Sequence, residues 1–135
     1  MDQTVAVSHL AWTSGGSAHV EIALQGAIDQ EGSTDHQVGI LLNGSPLGRM
    51  SFDGLTRSVA TFAVGQGLLK DGDNVFTLIG EAGNRDISLV DYIRVTYPRA
   101  YVSDQDSIRV TASGSQTIEG FSNPAIRVFD ITDHG

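Results

Sequence analysis

The stretch Val38-Gly39-Ile40-Leu41-Leu42-Asn43-Gly44-Ser45-Pro46-Leu47 decides the fold. Val38, Ile40 and Leu42 occupy every second position, which in an extended chain puts them on one face. Asn43-Gly44 follows at once. That dipeptide suits a type I′ turn, because the turn needs two positive φ angles. The return strand then runs from Leu47 to Phe52, with Pro46 confined to its start, where a missing N–H does least harm. The stretch reads as a β-hairpin.

Working outward, the same period recurs. Val20, Ile22 and Leu24 alternate with His19, Glu21, Ala23 and Gln25. Asp53-Gly54 turns the chain into a strand over Ser58–Val64, a single-turn element covers Gly65–Lys70, and Val75–Ile79 forms the next strand. A polar loop, Glu81-Ala82-Gly83-Asn84-Arg85, leads into the longest strand, Ile87–Tyr97, which Pro98 limits. Ile108–Thr111, Gln116–Glu119 and Ile126–Ile131 complete the predicted strands. No helical period persists over about ten residues, and turns recur every eight to twelve or so. Sixteen glycines suit that many turns. The expected fold is all-β: a two-sheet antiparallel β-sandwich of jelly-roll type. Its core should include Val20, Ile22, Leu24, Val38, Ile40, Phe62, Phe76, Leu78, Ile93 and Val95.

With 135 residues the chain fits one domain, 1–135, with a minor seam near 98–105. Acidic residues outnumber basic ones 16 to 8, a formal charge of −8. That argues against nucleic acid or an anionic membrane as partner, since binding a polyanion depends on Lys and Arg displacing its counterions. Cysteine is absent, which removes disulfides, thiolate nucleophiles and Cys-ligated zinc. No run approaches the roughly 20 apolar residues of a membrane span. The start, Met1-Asp2-Gln3-Thr4, lacks signal-peptide character. The strand-like end, Phe129-Asp130-Ile131-Thr132-Asp133-His134-Gly135, suggests a segment excised from a larger protein.

Chemistry has few places to sit. The four histidines (His9, His19, His36 and His134) accompany no Gly-x-Ser-x-Gly elbow. In Asp35-His36 and Asp133-His134 the neighbours point to opposite sides of an extended chain, which argues against a dyad. Self-contained catalysis is therefore not expected. His19 and Glu21 share one strand face and could supply two metal ligands, though nothing supplies a third. Asp71-Gly72-Asp73-Asn74 resembles a calcium loop, but turns demand these same residues and no later bidentate Glu follows. Asp104 and Asp106 would share one side if extended, which leaves a structural calcium as an option there. In Ile87–Tyr97, one parity reads Ile87, Leu89, Asp91, Ile93, Val95, Tyr97. Asp91 thus falls on the apolar face unless a bulge shifts the phase. A carboxylate so placed would accept loop N–H bonds or serve a ligand or calcium. Trp12, Tyr92 and Tyr101 are the candidates for a sugar-stacking platform, against the commoner role of packing.

Three segments carry a resemblance: Asp35 to Gly48, Leu69-Lys70-Asp71-Gly72-Asp73-Asn74-Val75, and Val90-Asp91-Tyr92-Ile93-Arg94-Val95-Thr96-Tyr97-Pro98-Arg99. They resemble the β-domain that precedes the catalytic domain of secreted bacterial gingipain-type cysteine peptidases. Gly120-Phe121-Ser122-Asn123-Pro124 through Asp133 resembles the segment leading toward that catalytic domain. The Asp91–Arg94 run is also similar to the last strand of galactose-binding-like jelly-roll modules. The resemblance implies a non-enzymatic accessory or pro-domain that packs on, inhibits or presents the peptidase domain, in a parent exported to the cell surface or beyond. It carries over no catalytic residue and no cofactor. The alternative is a carbohydrate-binding module with Trp12, Tyr92 and Asp91 at its ligand and a structural calcium.

Overall fold

A computed structural model describes residues 1–12, 16–32, 34–111 and 113–132. Seven strands form: β1 (Asp2–Val7), β2 (Ala18–Gly26), β3 (His36–Leu42), β4 (Ser45–Phe52), β5 (Arg57–Val64), β6 (Gly72–Gly80) and β7 (Ser88–Thr96). They make two antiparallel sheets, ordered β1-β6-β3-β4 and β5-β2-β7. The sheets pack face to face as a β-sandwich. Every connection except the β3–β4 hairpin crosses from one sheet to the other.

Period-two alternation fills the space between the sheets. Val20, Ile22 and Leu24 from β2 meet Val38, Ile40 and Leu42 from β3, Phe76 and Leu78 from β6, and Met50 from β4. Phe62, Ile93 and Val95 pack against this cluster while staying partly exposed. Fully burying a side chain such as Ile22 stabilises the fold by roughly 1.5–3 kcal/mol.

The hairpin turn closes as its residues require, with φ of 50° at Asn43 and 82° at Gly44. Asn43 does more than turn. Its amide donates to Leu68 O (2.8 Å) and to Asn74 Oδ1 (2.9 Å), and its oxygen accepts from Val75 N–H (3.0 Å). Asn74 is fully buried; it donates to Lys70 O (2.8 Å) and Gly72 O (3.0 Å) and accepts from Lys70 N–H (3.0 Å). Two asparagines thus bind the hairpin to the start of β6.

The chain divides into two compact units, Met1–Arg99 and Ala100–Gly135. All seven strands lie in the first. The strands expected over Ile108–Thr111, Gln116–Glu119 and Ile126–Ile131 do not form. Among the described residues the second unit has only isolated bridges, Val102–Glu119 and Asp104–Ser107. Val102, Ile108 and Ile118 are partly buried, whereas Val128 and Phe129 are 92% and 74% exposed. Strand propensity is realised through packing, and at Val128 and Phe129 the packing is missing.

Candidate functional site

Along β2, residues 18, 20, 22 and 24 face the core, so 19, 21, 23 and 25 face outward. β5 and β7 flank that outer side. Ala23 pairs with Val59 on one side and Tyr92 on the other, and it is fully buried without joining the inter-sheet core. The small side chain lets its neighbours close over it.

Tyr92 is the centre of this face. Its hydroxyl donates to Glu21 Oε1 (2.6 Å), which also accepts from Arg94 Nη1 (3.2 Å). The guanidinium carbons of Arg94 and Arg57 lie 5.0 and 5.5 Å from the ring centroid, within cation–π range. Arg57 Nε donates to Asp91 Oδ2 (2.7 Å). Hydrogen bonding to the Asp91 carboxylate, then to the Tyr92 hydroxyl, raises the Arg57 guanidinium further above its ordinary value. Val59 and Leu89, 45% and 59% exposed, extend the face with aliphatic surface. A shallow cleft of about 580 Å³ adjoins it, bounded by Met1, Gln3, Thr4 and Val5 of the N-terminal segment and by Leu89–Ile93. Aromatic, arginine and aliphatic groups thus share this face with two ion pairs, Arg57–Asp91 and Arg94–Glu21.

Asp91 corrects the sequence expectation. Tyr92 pairs with Ala23 and Val90 with Leu24, so Asp91 is the extra residue of a β-bulge. The bulge reverses the phase of the strand. Ile87 and Leu89 turn to solvent, Ile93 and Val95 stay inward, and the Asp91 side chain ends 45% exposed beside Arg57. It accepts from a guanidinium, not from loop amides, because the bulge aims it across the sheet.

Trp12 packs against the inter-sheet core, on the opposite side of the sheet from Tyr92, and Tyr101 belongs to the second unit. Asp71 Oδ1 accepts from Leu10 N–H (2.8 Å), which makes it a loop brace, while Asp73 is exposed in β6 opposite Ala6. Asp104 and Asp106 are not extended. Positive φ at Gln105 (50°) and Asp106 (60°) closes a turn between Asp104 and Ser107. The Asp106 carboxylate accepts from the hydroxyl and backbone N–H of Ser122, and both bonds hold it below the usual carboxylate range. His19 is exposed, while Glu21 is taken up by Tyr92 and Arg94. No group of three or more His, Cys, Asp or Glu able to hold a metal occurs among the described residues. Asp133 and His134 lie outside them.

Arg57 was not singled out from sequence. Its place opposite Gln25, one strand removed from β7, depends on a cross-strand register that no local pattern reveals. Comparison with known protein families, curated proteins and solved structures returns no match.

Proposed function

We propose that the chain is a non-catalytic accessory or pro-domain of an exported, gingipain-like cysteine peptidase, and that it docks on or presents the catalytic domain. The outer face of β5-β2-β7 carries this reading. Tyr92 is braced by Arg57, Arg94 and Glu21, with aliphatic surface beside it, as a prepared contact surface would be. The sheet-crossing connectivity is also what a jelly-roll, galactose-binding-like module would show. The chain contains no cysteine, so a peptidase nucleophile would have to come from elsewhere. Its buried His–carboxylate pair, His36 with Asp86, has both ring nitrogens occupied, and no hydroxyl among the described residues is bonded to it. With a formal charge of −8, the domain favours a partner of basic surface.

Calorimetric titration of this chain into the purified catalytic domain of its parent tests the reading. Saturable binding, weakened at least tenfold by Tyr92→Ala, is expected when the aromatic centre of a docked face is truncated. Peptide hydrolysis by the isolated chain, or no binding at concentrations up to about 1 mM, overturns it.

A further inference from the structure

The end of the sandwich where β2, β4 and β6 finish is fastened by one buried ring. His36 opens β3 with no exposed surface and stacks on Phe52, the ring centroids being 4.6 Å apart. Its Nδ1 lies 3.1 Å from Asp86 Oδ1 in the β6–β7 connection. Its Nε2 lies 3.1 Å from Gly54 O in the β4–β5 turn and 3.3 Å from Ile28 O in the β2–β3 connection. All three partners are acceptors.

A neutral imidazole has one N–H and one lone pair. Either tautomer would therefore press a lone pair onto an oxygen in a site closed to water, where an unmatched polar contact is expensive. Asp86 is poorly placed to lend the missing proton. Its Oδ2 already accepts from the N–H groups of Gln37 (3.1 Å), Glu81 (3.2 Å) and Ala82 (3.1 Å). Burial alone would raise the Asp86 carboxyl, yet the Ala82 and Gln37 amides and His36 outweigh it and leave the group below its ordinary value. Most other charged groups around the ring's contacts are carboxylates as well. Asp35, next in β3, accepts from Gln30 N–H and Gly54 N–H; Asp53, in the β4–β5 turn, accepts from Asp35 N–H; and Asp29, in the β2–β3 connection, lies against Gly54. Two cations belong to these elements: Arg49 of β4, paired with Glu81 (2.6 Å), and the exposed Arg85, next to Asp86 in the β6–β7 connection.

We propose that His36 carries a proton on each ring nitrogen in the folded domain and so latches three connections together, and that loss of one proton releases that end of the sandwich. With both protons present, Nδ1–H meets the Asp86 carboxylate and Nε2–H is shared between two carbonyls. Removing either proton turns one of those contacts repulsive, so the ring can no longer hold Asp86 and the Gly54 turn at once. The strand ladders, which do not use the ring, stay closed.

The test uses the intact chain labelled with nitrogen-15, titrated from about pH 5 to about pH 9, the span over which histidine charge normally changes. Long-range proton–nitrogen correlation reads the two ring nitrogens, and amide exchange, corrected for intrinsic base catalysis, reads Gln37, Ala82 and Gly54. The proposal expects two protonated-type nitrogen shifts while these amides are protected. It expects about a tenfold loss of protection as one shift moves, the effect of one hydrogen bond lost, with β2 and β3 ladder amides unchanged. His36→Gln, which keeps one donor and cannot titrate, should flatten the pH dependence of those three amides. A pyridine-type nitrogen alongside full protection, or protection that ignores the ring's titration, overturns the latch. Those readings come from the unmodified protein and stand even if the variant does not fold.

Discussion

Asn74→Ala removes a side chain that makes four hydrogen bonds inside the fold: one to Lys70 N–H, one to Lys70 O, one to Gly72 O and one to Asn43 Nδ2. A neutral hydrogen bond contributes about 1 kcal/mol net, and a buried partner left bare costs more. Lys70 and Gly72 are themselves exposed, so water can recover part of the loss on their side. The expected destabilisation is about 2–4 kcal/mol, a large share of the roughly 5–15 kcal/mol that holds a domain together. Urea unfolding followed by the fluorescence of Trp12, the single tryptophan, measures it directly, because Trp12 packs against the core that would open. The slope with urea should be unchanged, since the same surface is exposed on unfolding. Asn74→Asp is a sharper variant. It keeps the acceptor for Lys70 N–H but points a carboxylate oxygen at the carbonyls of Lys70 and Gly72. It should cost at least as much at neutral pH. A loss below about 1 kcal/mol for Asn74→Ala would refute the idea that this network ties the hairpin to β6.

Gly26→Ala should be among the most damaging single substitutions. A methyl there would sit 2.0 Å from Gly54 O and 2.6 Å from His36 Nε2, so backbone must move, and soluble yield or melting temperature will show it. Asp86 sits below its ordinary value, so folding favours its ionised form. Its contribution is complete above roughly pH 4 and disappears as pH falls through the folded-state value, so Asp86→Asn should flatten the acid limb of the stability curve. Residues 1–99 alone should fold with the full-length Trp12 emission, because every residue of the core cluster lies within them. An unfolded spectrum from that fragment would contradict the two-unit description.

What could be read from the residues was whatever repeats locally. The alternation in β2 and β3 and the Asn43-Gly44 turn are short-range signals, and the strands and turn they predict are present. β1 passed unnoticed because Asp2–Val7 is a half-buried edge strand whose apolar side consists of little more than Val5 and Val7. The phase of β7 turns on one bulged residue, Asp91, an option the sequence leaves open and only the register with β2 decides. The second unit shows the reverse error. Ile126–Ile131 has strand composition but pairs with no strand among the described residues. His36 with Asp86 and Arg57 with Asp91 join residues 50 and 34 positions apart, a separation that only the assembled sheets can close.

Hydrogen exchange on the proposed parent protein, compared with this chain alone, tests the docking proposal most directly. Protection should appear across 19–25, 57–63 and 88–96, the strands that display Tyr92, and should be absent from the outer surface of the four-stranded sheet. Equal exchange in both samples, or protection confined to β3 and β4, would contradict it.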